Sequence, residues 1–230
     1  MKDFLFSSTF FGVFISLFGY EVGVRLKKKF GWAILNPLLI SIIIVIVALK
    51  LLNIDYQTYY DGAKYISYLL TPATVCLAIP LYQQLTVLKK NWKAILAGIA
   101  SGVLSSMVSI LLLSKLFGLS HEQYVTLLPK SITTAIGIGV SEELGGIVTV
   151  TVAVIIITGI LGNIIAEVVC KLFKIDEPIA RGLAIGTASH AIGTVKAMEM
   201  GEVEGAMSSL AIAVSGLLTV VAASVFAQFL

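Results

Sequence analysis

The chain has 230 residues, 58% of them hydrophobic and 13% charged, with a mean hydropathy of +1.00. Average soluble domains carry about 25% charged residues, so a water-soluble globule of this composition would expose broad apolar surface. Soluble enzymes and soluble binding domains are excluded, and an all-α polytopic membrane protein is expected.

The net charge is +3 with a pI near 8.8, but the basic residues lie in short clusters between apolar runs. That pattern fixes orientation in a bilayer and offers no patch for nucleic acid. Residues 4–24 form the first apolar run, with Lys2 before it and Arg25, Lys27, Lys28 and Lys29 after it. A secretory signal has the reverse order, so this is a first span with the N-terminus outside the plasma membrane.

A spanning helix needs about 20 apolar residues. About six full spans are expected, at 4–24, 34–52, 63–85, 94–117, 147–170 and 205–229. Asn36-Pro37 opens the second, and Pro72 and Pro80 interrupt the third. Between Pro72 and Pro80, a kink eased by Thr71 and Thr74 competes with a lined path.

Two shorter stretches, 125–141 and 183–195, are rich in Gly, Ser and Thr and read as re-entrant or broken segments. Charge supports this. With both re-entrant, the cytoplasmic side holds Arg25, Lys27, Lys28, Lys29, Lys89, Lys90, Lys93, Lys171, Lys174, Arg181 and Lys196. Lys2, Lys50, Lys64, Lys115 and Lys130 are the outer ones, which is 11 against 5. Full crossing by both would even the split, against the positive-inside rule. A topology in which one of them crosses stays open. The expected organisation is a single membrane domain over 1–230, with N-terminal spans in 1–120 and a broken-segment half in 121–230. In that half, 145–154 aligns with 205–214, which suggests an inverted repeat of the kind secondary transporters use. Chance similarity of small apolar residues is the competing explanation.

The first short stretch reads Leu128-Pro129-Lys130-Ser131-Ile132-Thr133-Thr134. Pro129 suits a helix start, and a cation followed by hydroxyls suits a small carboxylate. The second carries Arg181, Thr187, Ser189, His190, Gly193 and Thr194. Lys130 and Arg181 either bind an anion or snorkel to the interfaces. His190 is either a packed histidine or a group that contacts substrate and moves a proton. We expect Lys130, Ser131, Thr133 and Thr134 to share a midplane cavity with His190. Glu142, Glu143, Glu199, Glu202 and Glu204 read as solvated. Cys76 and Cys170 lack partners for a disulfide or a metal site, and no catalytic motif or cofactor signature is present.

Together these stretches resemble the LrgB/CidB family of bacterial membrane proteins. The resemblance rests on Leu35-Asn36-Pro37, Thr71-Pro72-Ala73-Thr74 through Pro80-Leu81-Tyr82, Pro129-Lys130-Ser131-Ile132-Thr133-Thr134, Gly145-Gly146, Ala180-Arg181-Gly182-Leu183-Ala184 and Ser189-His190-Ala191-Ile192-Gly193-Thr194. The chain departs from the family at Ala135, where proline is common, and at Ala191, where glycine is common. The resemblance implies a small LrgA/CidA-like membrane partner and leaves a homo-oligomer open. It implies two competing functions. One is secondary transport of small monocarboxylates such as pyruvate, glycolate or glycerate. The other is antiholin- or holin-like regulation of murein hydrolase activity and autolysis.

Overall fold

The computed structural model describes residues 9–32, 34–76 and 78–230, and every regular element among them is a helix. Three helices are long and apolar enough to cross a membrane: Leu85–Phe117, Val148–Leu172 and Glu202–Phe229. The chain forms two compact units, 1–76 and 77–230. The long helix that the sequence groups with the N-terminal spans therefore belongs to the second unit.

In the first unit, α1 (Thr9–Phe30) packs on α2 (Pro37–Leu52) and α3 (Tyr56–Ser67). Asn36 caps α2, its Oδ1 accepting from the backbone N–H of Leu38 at 2.9 Å and of Leu39 at 3.2 Å. Pro37 follows where no N–H is needed. Ser41 Oγ donates to the carbonyl of Ser16 at 3.0 Å, tying α2 to α1.

The expected span at 63–85 is not one helix. α3 ends at Ser67, and the turn at 68–69 precedes α4 (Leu70–Cys76). Pro80 lies in a separate short helix, α5 (Ala78–Gln83), of the second unit. Each proline occupies the first turn of its helix, where its missing N–H leaves no hydrogen bond unmade. The prolines start helices here instead of kinking one. The side chains of Thr71 and Thr74 lie outside the described residues.

The second unit is organised by α6 (Leu85–Phe117), whose 33 residues span about 50 Å. Ile95, Ile99, Val103, Met107 and Ile110 recur at helical spacing and are buried in the core. Gly118, with φ of 63°, terminates α6, and the chain turns back into α7 (His121–Leu127). Ser120 and Gln123 cap α7 reciprocally. After the break at 128–133 comes α8 (Thr134–Glu143), then α9 (Val148–Leu172).

Residues 121–143 fold back on themselves. Thr151 of α9 reaches both legs: its hydroxyl donates to the carbonyl of Thr126 at 2.9 Å and shares a hydrogen with Ser141 Oγ at 2.7 Å. A Cβ on Gly137 would lie 3.6 Å from the carbonyl of Pro129. Residues eight apart on a straight helix are about 12 Å apart, so the legs are antiparallel.

A second hairpin lies within α10 (Pro178–Met200). His190 has φ of 42° and ψ of −142°, and the helix reverses there. A Cβ on Gly193 would sit 3.1 Å from Ile185 Cγ2 and 3.3 Å from its carbonyl oxygen. Ile185 also packs with Ala197 and Ala166 in one buried cluster. Helix α11 (Glu202–Phe226) then lies beside both legs: Ser208 abuts Gly186 on the first and hydrogen-bonds Thr194 on the second.

The hairpins enter from opposite ends of α6. Along α6, Gly98 faces Leu183 and Gly102 faces Thr187, while Ser106 Oγ lies 3.5 Å from Ser131 Oγ of the first hairpin. α11 runs between the two mouths. Its start meets Arg181, whose guanidinium is 3.9 Å from Glu204. Its end receives the Tyr124 hydroxyl, which donates to the carbonyl of Phe226 at 2.8 Å.

Candidate functional site

Where the hairpin tips approach one another, α6 turns a second face toward them. Opposite its apolar side it carries Asn91, Gly98, Ser101, Gly102, Ser105, Ser106 and Ser109, recurring every three to four residues. Hydroxyls on an otherwise apolar helix favour a protein or cavity surface over lipid. Here they wall a cavity of about 860 Å³, with the remaining wall from Lys130 and Ser131 of the first hairpin and from residues 177–188 of the second. That volume lies within the range of small-molecule sites, about 300–1,000 Å³.

The structure brings together Lys130, Ser131 and Thr187. Lys130 Nζ donates to Ser131 Oγ at 3.0 Å, and it makes no ion pair with any described carboxylate. Glu177 stands on the same wall. Thr187 is 7% exposed, and its hydroxyl has no hydrogen-bond partner.

The other expected site residues lie elsewhere. Thr133 is the N-cap residue of α8 without a side-chain cap bond, and Thr134 begins that helix. Neither lines the cavity. Arg181 sits at the mouth of the second hairpin and is fully engaged. Its Nε donates to the carbonyl of Ile175 at 2.7 Å, and its guanidinium pairs with Asp176 at 3.2 Å.

His190 is also outside the cavity lining; its ring is directed at α9 and lies 3.0 Å from the carbonyl of Ile155. Ser189 packs where Gly162 of α9 leaves room. Thr194 donates to the carbonyl of His190 at 2.9 Å and therefore accepts from Ser208 at 2.7 Å. Gly193 allows the legs to close, and Pro129 opens the first tip. Glu204 is buried beside Arg181 instead of solvated. The helical recurrence of small polar residues on 91–109 was the sequence signal for the α6 wall.

A family model described as the LrgB-like family matches residues 16–229. The antiholin-like protein LrgB of Bacillus mycoides (strain KBAB4) is 40% identical over 222 residues, covering 96% of each chain. The proteins of the same name from Bacillus cereus (strain B4264) and Bacillus anthracis (strain CDC 684 / NRRL 3495) are each 39% identical with the same coverage. No solved structure matches. A family match along almost the whole chain, with relatives of nearly equal length, places this membrane protein in the LrgB-like family.

Proposed function

We propose that the chain is an antiholin-like membrane protein that restrains murein hydrolase activity and autolysis. The observation that carries this reading is 40% identity to an antiholin-like protein over 96% of both chains. Deleting the chain from its host should raise both detergent-induced lysis and murein hydrolase activity on zymograms. Unchanged lysis and hydrolase activity would overturn the reading.

The cavity favours a second reading, passage of a small monocarboxylate such as pyruvate, glycolate or glycerate. A lysine without a carboxylate partner, beside hydroxyls, suits an anionic ligand. Six spans, two re-entrant hairpins arranged as an inverted repeat, an external N-terminus and an LrgA-like partner belong to this proposal. Hairpins entering from opposite ends of α6 support it, because transporters place substrate where broken helices meet. Saturable uptake of labelled pyruvate or glycolate into proteoliposomes, with and without an LrgA-like protein, tests it. No uptake under proton or sodium gradients, with the partner present, would leave the regulatory reading alone.

A further inference from the structure

The cavity wall carries two distinct polar demands. Lys130 and Ser131 present a positive charge and a hydroxyl from one hairpin tip. Thr187 presents, from the other hairpin, a hydroxyl that nothing in the protein satisfies. A buried hydroxyl without a partner is destabilising, so its retention on a cavity wall is explained by a ligand atom that completes it. Gly102 abuts the Thr187 methyl: a Cβ on Gly102 would lie 2.7 Å from Thr187 Cγ2. The close packing of that methyl against α6 restricts the side chain's choice of rotamers.

We infer that this is a two-point site in which Lys130 and Ser131 hold a carboxylate while Thr187 hydrogen-bonds a second oxygen on the same small molecule. The inference rests on the second reading above and adds a rule of selection. The ligand carries an oxygen on the carbon next to its carboxylate, so 2-hydroxy and 2-oxo acids bind and unsubstituted acids of similar size bind poorly. Thr187 is the specificity residue and Lys130 the affinity residue. A site built around a hydrogen bond rejects the analogue that lacks it, because the site's own polar group is then left unpaired.

The test is binding to the full chain in lipid nanodiscs by calorimetry, with pyruvate and glycolate set against propionate and acetate. Wild-type protein should prefer the oxygenated acid of each pair by about tenfold or more. Thr187→Val, nearly isosteric, should lose most of that preference while leaving acetate and propionate affinity within about twofold. Thr187→Ser should retain the preference, which separates the hydroxyl from packing. Lys130→Gln should weaken all four acids, by about tenfold or more for the oxygenated pair. Thermal unfolding of each variant checks that the fold persists.

If wild-type protein binds all four acids alike, the rule of selection is overturned and the carboxylate reading stands. The same holds if Thr187→Val keeps the preference while Lys130→Gln weakens binding. If none of the acids binds wild-type protein, or Lys130→Gln binds as wild type does, the carboxylate reading itself falls and the inference with it.

Discussion

His190 Nε2 lies 3.0 Å from the carbonyl oxygen of Ile155, joining the tip of the second hairpin to the middle of α9. A carbonyl only accepts, so the ring carries its proton on Nε2. His190 is also the turning residue, with φ of 42°. Positive φ is costly for a side chain with a Cβ, by about 1–3 kcal/mol. The bond to Ile155 offsets part of that strain. His190→Ala should remove the bond and keep the strain, whereas His190→Gly removes both. We therefore expect Ala to be less stable than Gly by about 1 kcal/mol, read from thermal unfolding in one detergent. Equal stability would mean that the turn is unstrained.

Thr194 and Ser208 form a buried hydroxyl pair between the second hairpin and α11. Thr194 makes two hydrogen bonds through one oxygen. Thr194→Val should cost about 1–3 kcal/mol because it leaves a buried partner unsatisfied. Ser208→Ala should cost less, since Thr194 keeps its bond to the His190 carbonyl. In a double-mutant cycle the two changes should couple by about 0.6 kcal/mol, the average for interhelical hydrogen bonds in membranes.

Gly193 and Gly139 make opposite predictions from the same residue type. A Cβ on Gly193 meets Ile185 and Ser189 of the opposing leg, whereas Gly139 in α8 has nothing within 4 Å. Gly193→Leu should prevent hairpin closure and show as aggregation in size-exclusion profiles after extraction. Gly139→Ala should stabilise by about 0.5–1 kcal/mol through helix propensity alone. A well-folded Gly193→Leu protein would contradict the close approach of the two legs.

Topology can be read by cysteine labelling in a background without Cys76 and Cys170. Single cysteines at 174 and 201, at the base of the second hairpin, should label from one face. A cysteine at 119, beside the first hairpin, should label from the other. Labelling of 174 and 201 from opposite faces would mean that residues 178–200 cross the membrane.

The legible parts of the sequence were those where composition and local chemistry coincide. Pro129 followed by Lys130 and Ser131 marked the first tip, because proline and clustered hydroxyls are poor continuations of an apolar span. The second tip was legible as a region but not as a residue. Four candidate positions, Gly186, Ser189, His190 and Gly193, could have turned the chain, and the turn falls on the one with a bulky ring. That choice depends on α9 supplying the Ile155 carbonyl, a contact 35 residues away. The direction of the His190 side chain was hidden for the same reason, which is why the sequence placed it beside Lys130. Arg181 looked like a ligand cation until Glu204 and Asp176 were seen to engage it. The cavity face of α6 escaped because serines and glycines barely lower the hydropathy of a 33-residue helix.

The second hairpin has a consequence for synthesis. Its legs are held on α11 by Glu204 and Ser208, residues that leave the ribosome only after the hairpin itself. Until then Arg181 and Thr194 lack those partners, and 178–200 is long enough to thread through as an ordinary helix. Folding back must therefore be a late rearrangement inside the membrane, completed when α11 arrives. A nascent chain stalled before residue 202 would expose the segment to both aqueous faces, and release of the stall would withdraw it.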